Sequence, residues 1–362
     1  MPKNAYLITV LRGDGIGPEV MAESMKVLRA AGQVFGLAFT FDEHDVGAAL
    51  YQRSGDPFPS VTLEACRRAD AVLKGPAGLP GVRTPDGREA GLLGGHFRMA
   101  LDLYANVRPA RLWPGITSAL RDRPPGRIDY VIVRENTEGL YASRLGGIVV
   151  GEEAATDTMV ITRHGTERVA RYAFELARKR RGAPADGVRR VTCVDKANVL
   201  KSFAFFRKVF LEVAKRYPDV EADLLHADAC AQALVLWPER FDVIVCENLL
   251  GDLLSDLGGA TVGGIALSPS GNIGDRYAVF EPVHGSAPGL AGSGRANPLA
   301  AILTAGMLLG WLGHAEAQAG VESAVASLLA EGALPLDPDG ATRIPTAQVG
   351  DAVSARLLAP SR

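Results

Sequence analysis

Three aspartates, three arginines, a lysine and a tyrosine carry most of the chemistry open to this chain. Asp252 and Asp256 stand four apart in Gly251-Asp-Leu-Leu-Ser-Asp256, which puts both carboxylates on one helix face. With Asp228 brought in from elsewhere, they make an oxygen-rich set suited to Mg²⁺ or Mn²⁺. Taken singly, Asp252 also reads as an N-cap and Asp256 as a solvent-facing residue. Leu253, Leu254 and Leu257 beside them favour a largely buried helix. Arg98 and Arg108 flank residues 99–107, and Arg134 ends an apolar run. Their planar donor forks match carboxylates, though an arginine at a strand end is also an ordinary ion-pair partner. Lys196 follows the apolar run 191–194, and Tyr141 closes Arg134-Glu-Asn-Thr-Glu-Gly-Leu-Tyr141. At strand ends the two could serve as general base and general acid. Each alone is as readily a solvated lysine or a loop-packing tyrosine.

Phe280-Glu-Pro-Val-His-Gly-Ser-Ala-Pro288, followed by Asn297-Pro298, offers an imidazole and turn N–H groups to a nucleotide. A lone turn histidine is more often structural. Gly13-Asp-Gly-Ile-Gly17 has the spacing G-x-G-x-G and lacks the longer step of the dinucleotide fingerprint. It reads as a tight turn that lets the backbone approach a neighbour.

These residues need a scaffold of alternating strands and helices. Residues 6–11, 38–45, 69–74, 130–134 and 241–246 are strand candidates. The 130–134 and 241–246 runs are short and β-branched, as befits strands buried on both faces. Helices are expected over 18–31, 165–180, 198–217 and 227–236, and an all-round apolar one over 298–312. The basic run Arg178-Lys-Arg-Arg181 reads as a solvated helix C-terminus. The class is α/β. At 362 residues, two domains are the default. A formal net charge of −2 argues against a nucleic-acid partner, and no apolar run is long enough for a membrane span. The N-terminal apolar run reads as a first strand and not a signal peptide. Cys66, Cys193, Cys230 and Cys246 include no C-x-x-C pair, so four reduced core thiols in a cytoplasmic protein are expected.

Together these segments resemble the β-decarboxylating dehydrogenases, the isocitrate/isopropylmalate dehydrogenase family, over nearly the whole chain. The resemblance lies in Gly13-Asp-Gly-Ile-Gly-Pro-Glu19, Leu101-Asp-Leu-Tyr-Ala-Asn-Val-Arg-Pro109, Arg134-Glu-Asn-Thr-Glu-Gly139, Asp195-Lys-Ala-Asn198, Asn248-Leu-Leu-Gly-Asp-Leu-Leu-Ser-Asp256 and Glu281-Pro-Val-His-Gly-Ser-Ala-Pro288. Leu267-Ser-Pro-Ser-Gly-Asn-Ile-Gly-Asp275 looks most like the homoisocitrate branch. The resemblance implies a non-Rossmann, isopropylmalate-dehydrogenase-like fold: two α/β domains with a cleft and a large mixed sheet. Residues 1–103 and 263–362 would form a large cofactor-binding domain, and 104–262 a small domain with the dimer interface. The implied activity is metal-dependent oxidative decarboxylation of a (2R)-malate-type hydroxy acid, with hydride passed to NAD⁺ (NADP⁺ remaining open). Arg98, Arg108 and Arg134 would hold the substrate, and Asp228, Asp252 and Asp256 a Mg²⁺ or Mn²⁺ ion. Lys196 and Tyr141 would be catalytic. His284, Gly285, Ser286 and Asn297 would meet the adenosine half of the cofactor, and Asn198 would lie near nicotinamide. The implied assembly is a homodimer with active sites shared between subunits, in which Lys196 and Asp228 serve the partner.

Two positions depart from that pattern. Gly289-Leu290 replaces both the Asp typical of NAD-specific relatives and the Lys-Tyr of NADP-specific isocitrate enzymes, and Arg295 lies near enough in sequence to attract a 2′-phosphate or else faces solvent. Gly95 occupies the position that carries Leu in isopropylmalate enzymes and Arg in homoisocitrate enzymes. Gly95 matches neither determinant, and the overall resemblance favours a homoisocitrate- or isocitrate-like acid as the expected substrate. The alternatives are 3-isopropylmalate, or D-malate and tartrate. Here either Gly94 and Gly95 leave room beside His96, or Leu92 and Leu93 line the pocket. A non-catalytic regulatory subunit, which would normally lose one of these groups, is the competing class.

Overall fold

The short β-branched runs form central strands, each flanked by a helix that buries its apolar face. The computed structural model describes residues 3–85, 87–337 and 340–359, with the side chains of His96, Arg144 and Leu145 outside that description. In chain order the strands are β1 (Ala5–Leu11), β2 (Ala38–His44), β3 (Ala71–Lys74), β4 (Ala105–Arg111), β5 (Asp129–Glu135), β6 (Ile148–Val150), β7 (Ala154–Thr156), β8 (Arg190–Asp195), β9 (Glu221–His226), β10 (Val243–Cys246), β11 (Pro269–Ile273) and β12 (Ala278–Pro282). The chain divides into two units. One comprises Met1–Leu101, Trp113–Ile116 and Gly263–Arg362, and the other Asp102–Leu112 and Thr117–Val262.

The first unit orders its strands β2-β1-β3-β12-β11. β1 runs parallel to β2 and β3, β12 parallel to β3, and β11 antiparallel to β12. Helix Gly17–Phe35 packs with helices Leu299–Trp311 and Thr346–Leu358. The 299–311 helix is buried nearly all round, as its composition requires. Gly13 and Gly15 have φ of +74° and +58°, and a side chain on either would run into a carbonyl, of Pro76 or of Ser286. The glycine turn is thus an internal close approach.

The second unit orders its strands β4-β5-β10-β8-β9. β5, β10, β8 and β9 are parallel, and β4 is antiparallel to β5. Val243 to Cys246 are all buried, which explains the unbroken apolar run. Helices Arg163–Lys179 and Lys201–Ala214 pack together, with Phe174 stacked on Phe210. One expectation fails at the end of the 163–179 helix. Arg180 is not solvated: it donates to Asp242 at 2.7 Å and to Asp129 at 2.9 Å, and Asp242 is fully buried. A buried carboxylate needs a counter-ion, and the basic run supplies it. Leu253 corrects a second expectation, being 62% exposed while Leu254 is 5% exposed. Cys66, Cys193, Cys230 and Cys246 are free and buried, as expected of core thiols.

Candidate active site

The chemistry-bearing residues of the second unit gather at the C-terminal ends of its parallel strands, where open sheets collect ligands. Arg134 is next to last in β5, Lys196 follows β8, Asp228 follows β9 by two residues, and Glu247 links β10 to helix Asn248–Thr261. Glu247 caps that helix, accepting the N–H groups of Leu249 at 3.0 Å and Leu250 at 3.2 Å. Its other oxygen accepts the Leu140 N–H at 2.8 Å, which ties the Tyr141 segment to the helix that carries Asp252. Gly139, at φ +80°, lets the chain pass beside this carboxylate.

Asp252 is the hub. Its Oδ1 accepts from Arg134 Nη1 and lies 3.3 Å from Arg108 Nη1, while Oδ2 accepts from the Tyr141 hydroxyl at 3.1 Å. Arg134 is buried, donates through Nε to Asn248 Oδ1 at 2.9 Å, and lies over the Tyr141 ring. Arg108 donates to Asn106 at 2.6 Å, Ser255 at 2.7 Å and Asp256 at 3.2 Å. Burial, the nearby Asp252 charge and the hydrogen bond to it push the Tyr141 phenol up, so it stays protonated as an acid must. Burial also raises the Asp256 carboxyl; Arg108 lowers it, Asp252 raises it and Arg134 lowers it. Asp252 and Asp256 thus share a face as their spacing predicts, held by two of the three expected arginines.

Lys196 donates to Asp228 at 2.7 Å, and that hydrogen bond holds the Asp228 carboxyl below its usual range. Within one chain the structure does not bring Asp228 to Asp252 and Asp256: among the described residues, no three potential metal ligands gather. The donors available to a cation are hard carboxylate oxygens, and these fit Mg²⁺ or Mn²⁺ in type.

The third arginine, Arg98, belongs to the first unit. Glu281 lies 3.4 Å from Arg98 and accepts from Lys74 at 2.6 Å and Asn272 at 2.9 Å. Burial raises the Glu281 carboxyl, but the Lys74 and Arg98 charges and the hydrogen bonds from Lys74 and Asn272 outweigh it and bring it down to about 2. Nearby, His284 is buried, and its Nε2 has no hydrogen-bond partner among the described residues. Burial, reinforced by Lys74, holds this imidazole neutral. An orphaned ring nitrogen in a turn is a group that a ligand such as a nucleotide base could satisfy. Gly285, beside it, has open space where a side chain would stand. Ser286 and Asn297 do not present free side chains. Ser286 donates to the Gly78 carbonyl, while Asn297 donates to Gly340 O at 2.9 Å and accepts the Leu299 N–H at 3.0 Å. Arg295 is paired with Asp337, which also accepts from Arg343 at 2.7 Å. Asn198, in the second unit, is exposed.

Residues 7–353 match the family described as isocitrate/isopropylmalate dehydrogenase. The chain belongs to that family. It is 40% identical to a 3-isopropylmalate dehydrogenase of Aquifex aeolicus, over 97% of both chains, and 44% identical to one of Thermobifida fusca, over 99% of both. It also resembles the crystal structure of an isocitrate dehydrogenase from Methylococcus capsulatus, at 39% identity and a TM-score of 0.85, over 98% of this chain and 100% of that one. The chain is therefore a decarboxylating dehydrogenase of this family, and the non-Rossmann fold expected from the motifs stands. Both curated relatives carry the name of the substrate given above as an alternative, 3-isopropylmalate, and not of the homoisocitrate-like acid expected first.

The residues this dehydrogenase uses to hold its site are largely ones that motif reading left without a role. Glu247, Asn248 and Asn106 orient the arginines and the tyrosine, and Lys74 with Asn272 fixes Glu281. Two signals were available: an acidic residue just before the Asn248 helix, and a lysine ending an apolar strand. Gly95 falls in helix Gly94–Ala100 with Arg98. Leu93 is buried and Leu92 is 63% exposed, so only Leu92 is open to a ligand. The proposed donor His96 lies outside the described side chains.

Proposed function

We propose that this dehydrogenase oxidises and decarboxylates 3-isopropylmalate with NAD⁺ and Mg²⁺ or Mn²⁺, as a homodimer with shared sites. The observation that carries the reading is Asp252 flanked by Arg134, Arg108 and Tyr141 on the helix that also bears Asp256. Asp252 and Asp256 of one subunit and Asp228 of a second copy would hold the cation, and the His284 turn the cofactor. When bound, the nicotinamide accepts hydride and the cation withdraws electron density from the substrate oxygen. Arg98, Arg108 and Arg134 bind and orient the malate carboxylates. Lys196 takes the proton from the hydroxyl oxygen as hydride leaves the carbon that bears it, which forms the carbonyl. Loss of CO₂ then leaves an enolate, and Tyr141 returns a proton to its carbon. Arg108, which reaches both Asp252 and Asp256, and Arg134, which reaches Asp252, would turn to the substrate carboxylates where those aspartates hold a cation.

Leu92, an apolar side chain 63% exposed just before the helix that carries Arg98, supports an alkyl third substituent. Arg295, already paired with Asp337, supports NAD⁺. A second copy has an apolar surface to cover: Ile148, Val149, Val150, Val235, Leu236 and Leu253 are all more than 40% exposed in the unit that carries Lys196 and Asp228. No described helix is long and apolar enough to cross a membrane.

The test is the rate of nicotinamide reduction with 3-isopropylmalate, isocitrate, homoisocitrate, D-malate and tartrate, each with NAD⁺ and NADP⁺. The reading expects the highest kcat/KM for 3-isopropylmalate with NAD⁺. A higher value for a tricarboxylate would overturn the substrate assignment, and a higher value with NADP⁺ the cofactor assignment.

A further inference from the structure

Asp195, the last residue of β8, is fully buried, and its carboxylate accepts four hydrogen bonds, one of them from the Cys193 thiol to Oδ2 at 3.8 Å. Oδ1 accepts the Ala197 N–H at 2.8 Å and Arg207 Nη2 at 2.7 Å, and Oδ2 accepts Arg207 Nε at 2.8 Å. Arg207 reaches this point from helix Lys201–Ala214, and its Nη2 also lies 3.2 Å from His226 Nδ1. Arginine is always a donor, so the imidazole nitrogen accepts. Asp195 and His226 are register partners at the ends of β8 and β9. One residue beyond Asp195 is Lys196. Two residues beyond His226 is Asp228, in the first turn of helix Ala227–Leu236. Lys196 and Asp228 are themselves 2.7 Å apart. A single guanidinium therefore spans the roots of both segments that carry the pair.

We infer that Arg207 is a positioning residue for the Lys196–Asp228 pair, acting through Asp195 and His226. The inference rests on the catalytic role proposed for Lys196. The bidentate fork fixes the plane of the Asp195 carboxylate, and that carboxylate fixes the backbone at Ala197, so Lys196 is anchored on both sides. The bond to His226 sets where the Asp228 helix begins. Arg207 also supplies the counter-charge for a carboxylate that has no exposure to water. A lysine at 207 could neutralise Asp195 but could not make the parallel pair of bonds and reach His226 together.

The experiment compares Arg207→Met and Arg207→Lys with the wild-type enzyme by steady-state kinetics, thermal melting and amide hydrogen exchange at residues 196–199. Partners that orient catalytic ligands typically carry 10–100-fold effects, so Arg207→Met is expected to lose about 10–100-fold in kcat with KM within about twofold. Arg207→Lys is expected to recover part of kcat, and exchange at Ala197 to rise while helix Lys201–Ala214 stays protected. A wild-type kcat in Arg207→Met overturns the inference. So does a kcat loss that comes only with a lowered melting temperature and is equal in both variants. If wild-type protein turns over no malate-type acid, the proposed function fails on its own. The exchange measurement then still decides whether Arg207 anchors the Lys196 segment, and unchanged exchange at Ala197 refutes that anchoring.

Discussion

Replacing Glu281 by glutamine should open a stability deficit that closes as the pH falls. The Glu281 side chain is 13% exposed and lies against Lys74, 6% exposed, and Arg98, 13% exposed. Its carboxyl is lowered from an ordinary 4.5 to about 2. A group whose pKa is depressed on folding contributes stability above its unfolded value and loses it as pH falls through its folded value. The gap of about 2.5 units corresponds to about 3 kcal/mol at pH 7. Leaving a buried cation without its partner costs about 3–5 kcal/mol by a separate route, which agrees in scale. The deficit of Glu281→Gln relative to wild type should therefore be about 3 kcal/mol at pH 7, shrink to about half by pH 3 and vanish below pH 2. Urea unfolding read by tryptophan fluorescence measures it, since Trp113 and Trp311 lie in the same unit as Glu281. A deficit that is the same at pH 7 and pH 3 would refute the electrostatic reasoning and leave packing as its source.

Tyr141→Phe removes the proton donor but keeps the ring under Arg134. It should lower kcat by about 10²–10⁴ and leave KM for the hydroxy acid nearly unchanged, and a loss confined to KM would contradict the acid role. Gly15→Ala puts a methyl on the Ser286 carbonyl at a positive φ. The left-handed backbone alone costs about 1–2 kcal/mol and the collision adds to it, so an unchanged melting temperature would count against the glycine-turn reading. Lys196→Met and Asp252→Asn should each abolish turnover, yet co-refolded subunits should regain about a quarter of wild-type activity, because half the dimers then hold one intact shared site. No recovery would place Lys196 and Asp252 in one subunit's site.

Much of the fold was legible because its central strands are pure. β5 and β10 announce themselves as short β-branched runs, since burial on both faces admits little else. β4 and β11 do not: Arg108 and Pro109 interrupt one, and Pro-Ser-Gly-Asn makes up most of the other. Their stability comes from pairing and burial in the fold, which local composition does not report. In the site, Asp252 and Asp256 could be placed on one face from spacing alone, because helical geometry is periodic. Two arginine partners could not, since Asn248 meets Arg134 and Ser255 meets Arg108 only after β4, β5 and the 248–261 helix pack, whereas Asn106 is Arg108's same-face neighbour two residues away within β4. Ser286 and Asn297 show a further limit of motif reading, since their hydrogen bonds to Gly78 and Gly340 join residues far apart in sequence. Arg180 was misplaced for a related reason, because the buried Asp242 that recruits it is far away in sequence.

The central claim is metal-dependent oxidation coupled to decarboxylation in a site built from Asp252, Asp256, Lys196 and Tyr141. Its most direct test is to measure CO₂ released and nicotinamide reduced in the same reaction with 3-isopropylmalate, with and without EDTA. The account predicts equal amounts of the two products, both abolished by the chelator and restored by Mg²⁺ or Mn²⁺. Nicotinamide reduction without CO₂, or activity that survives EDTA, would contradict it.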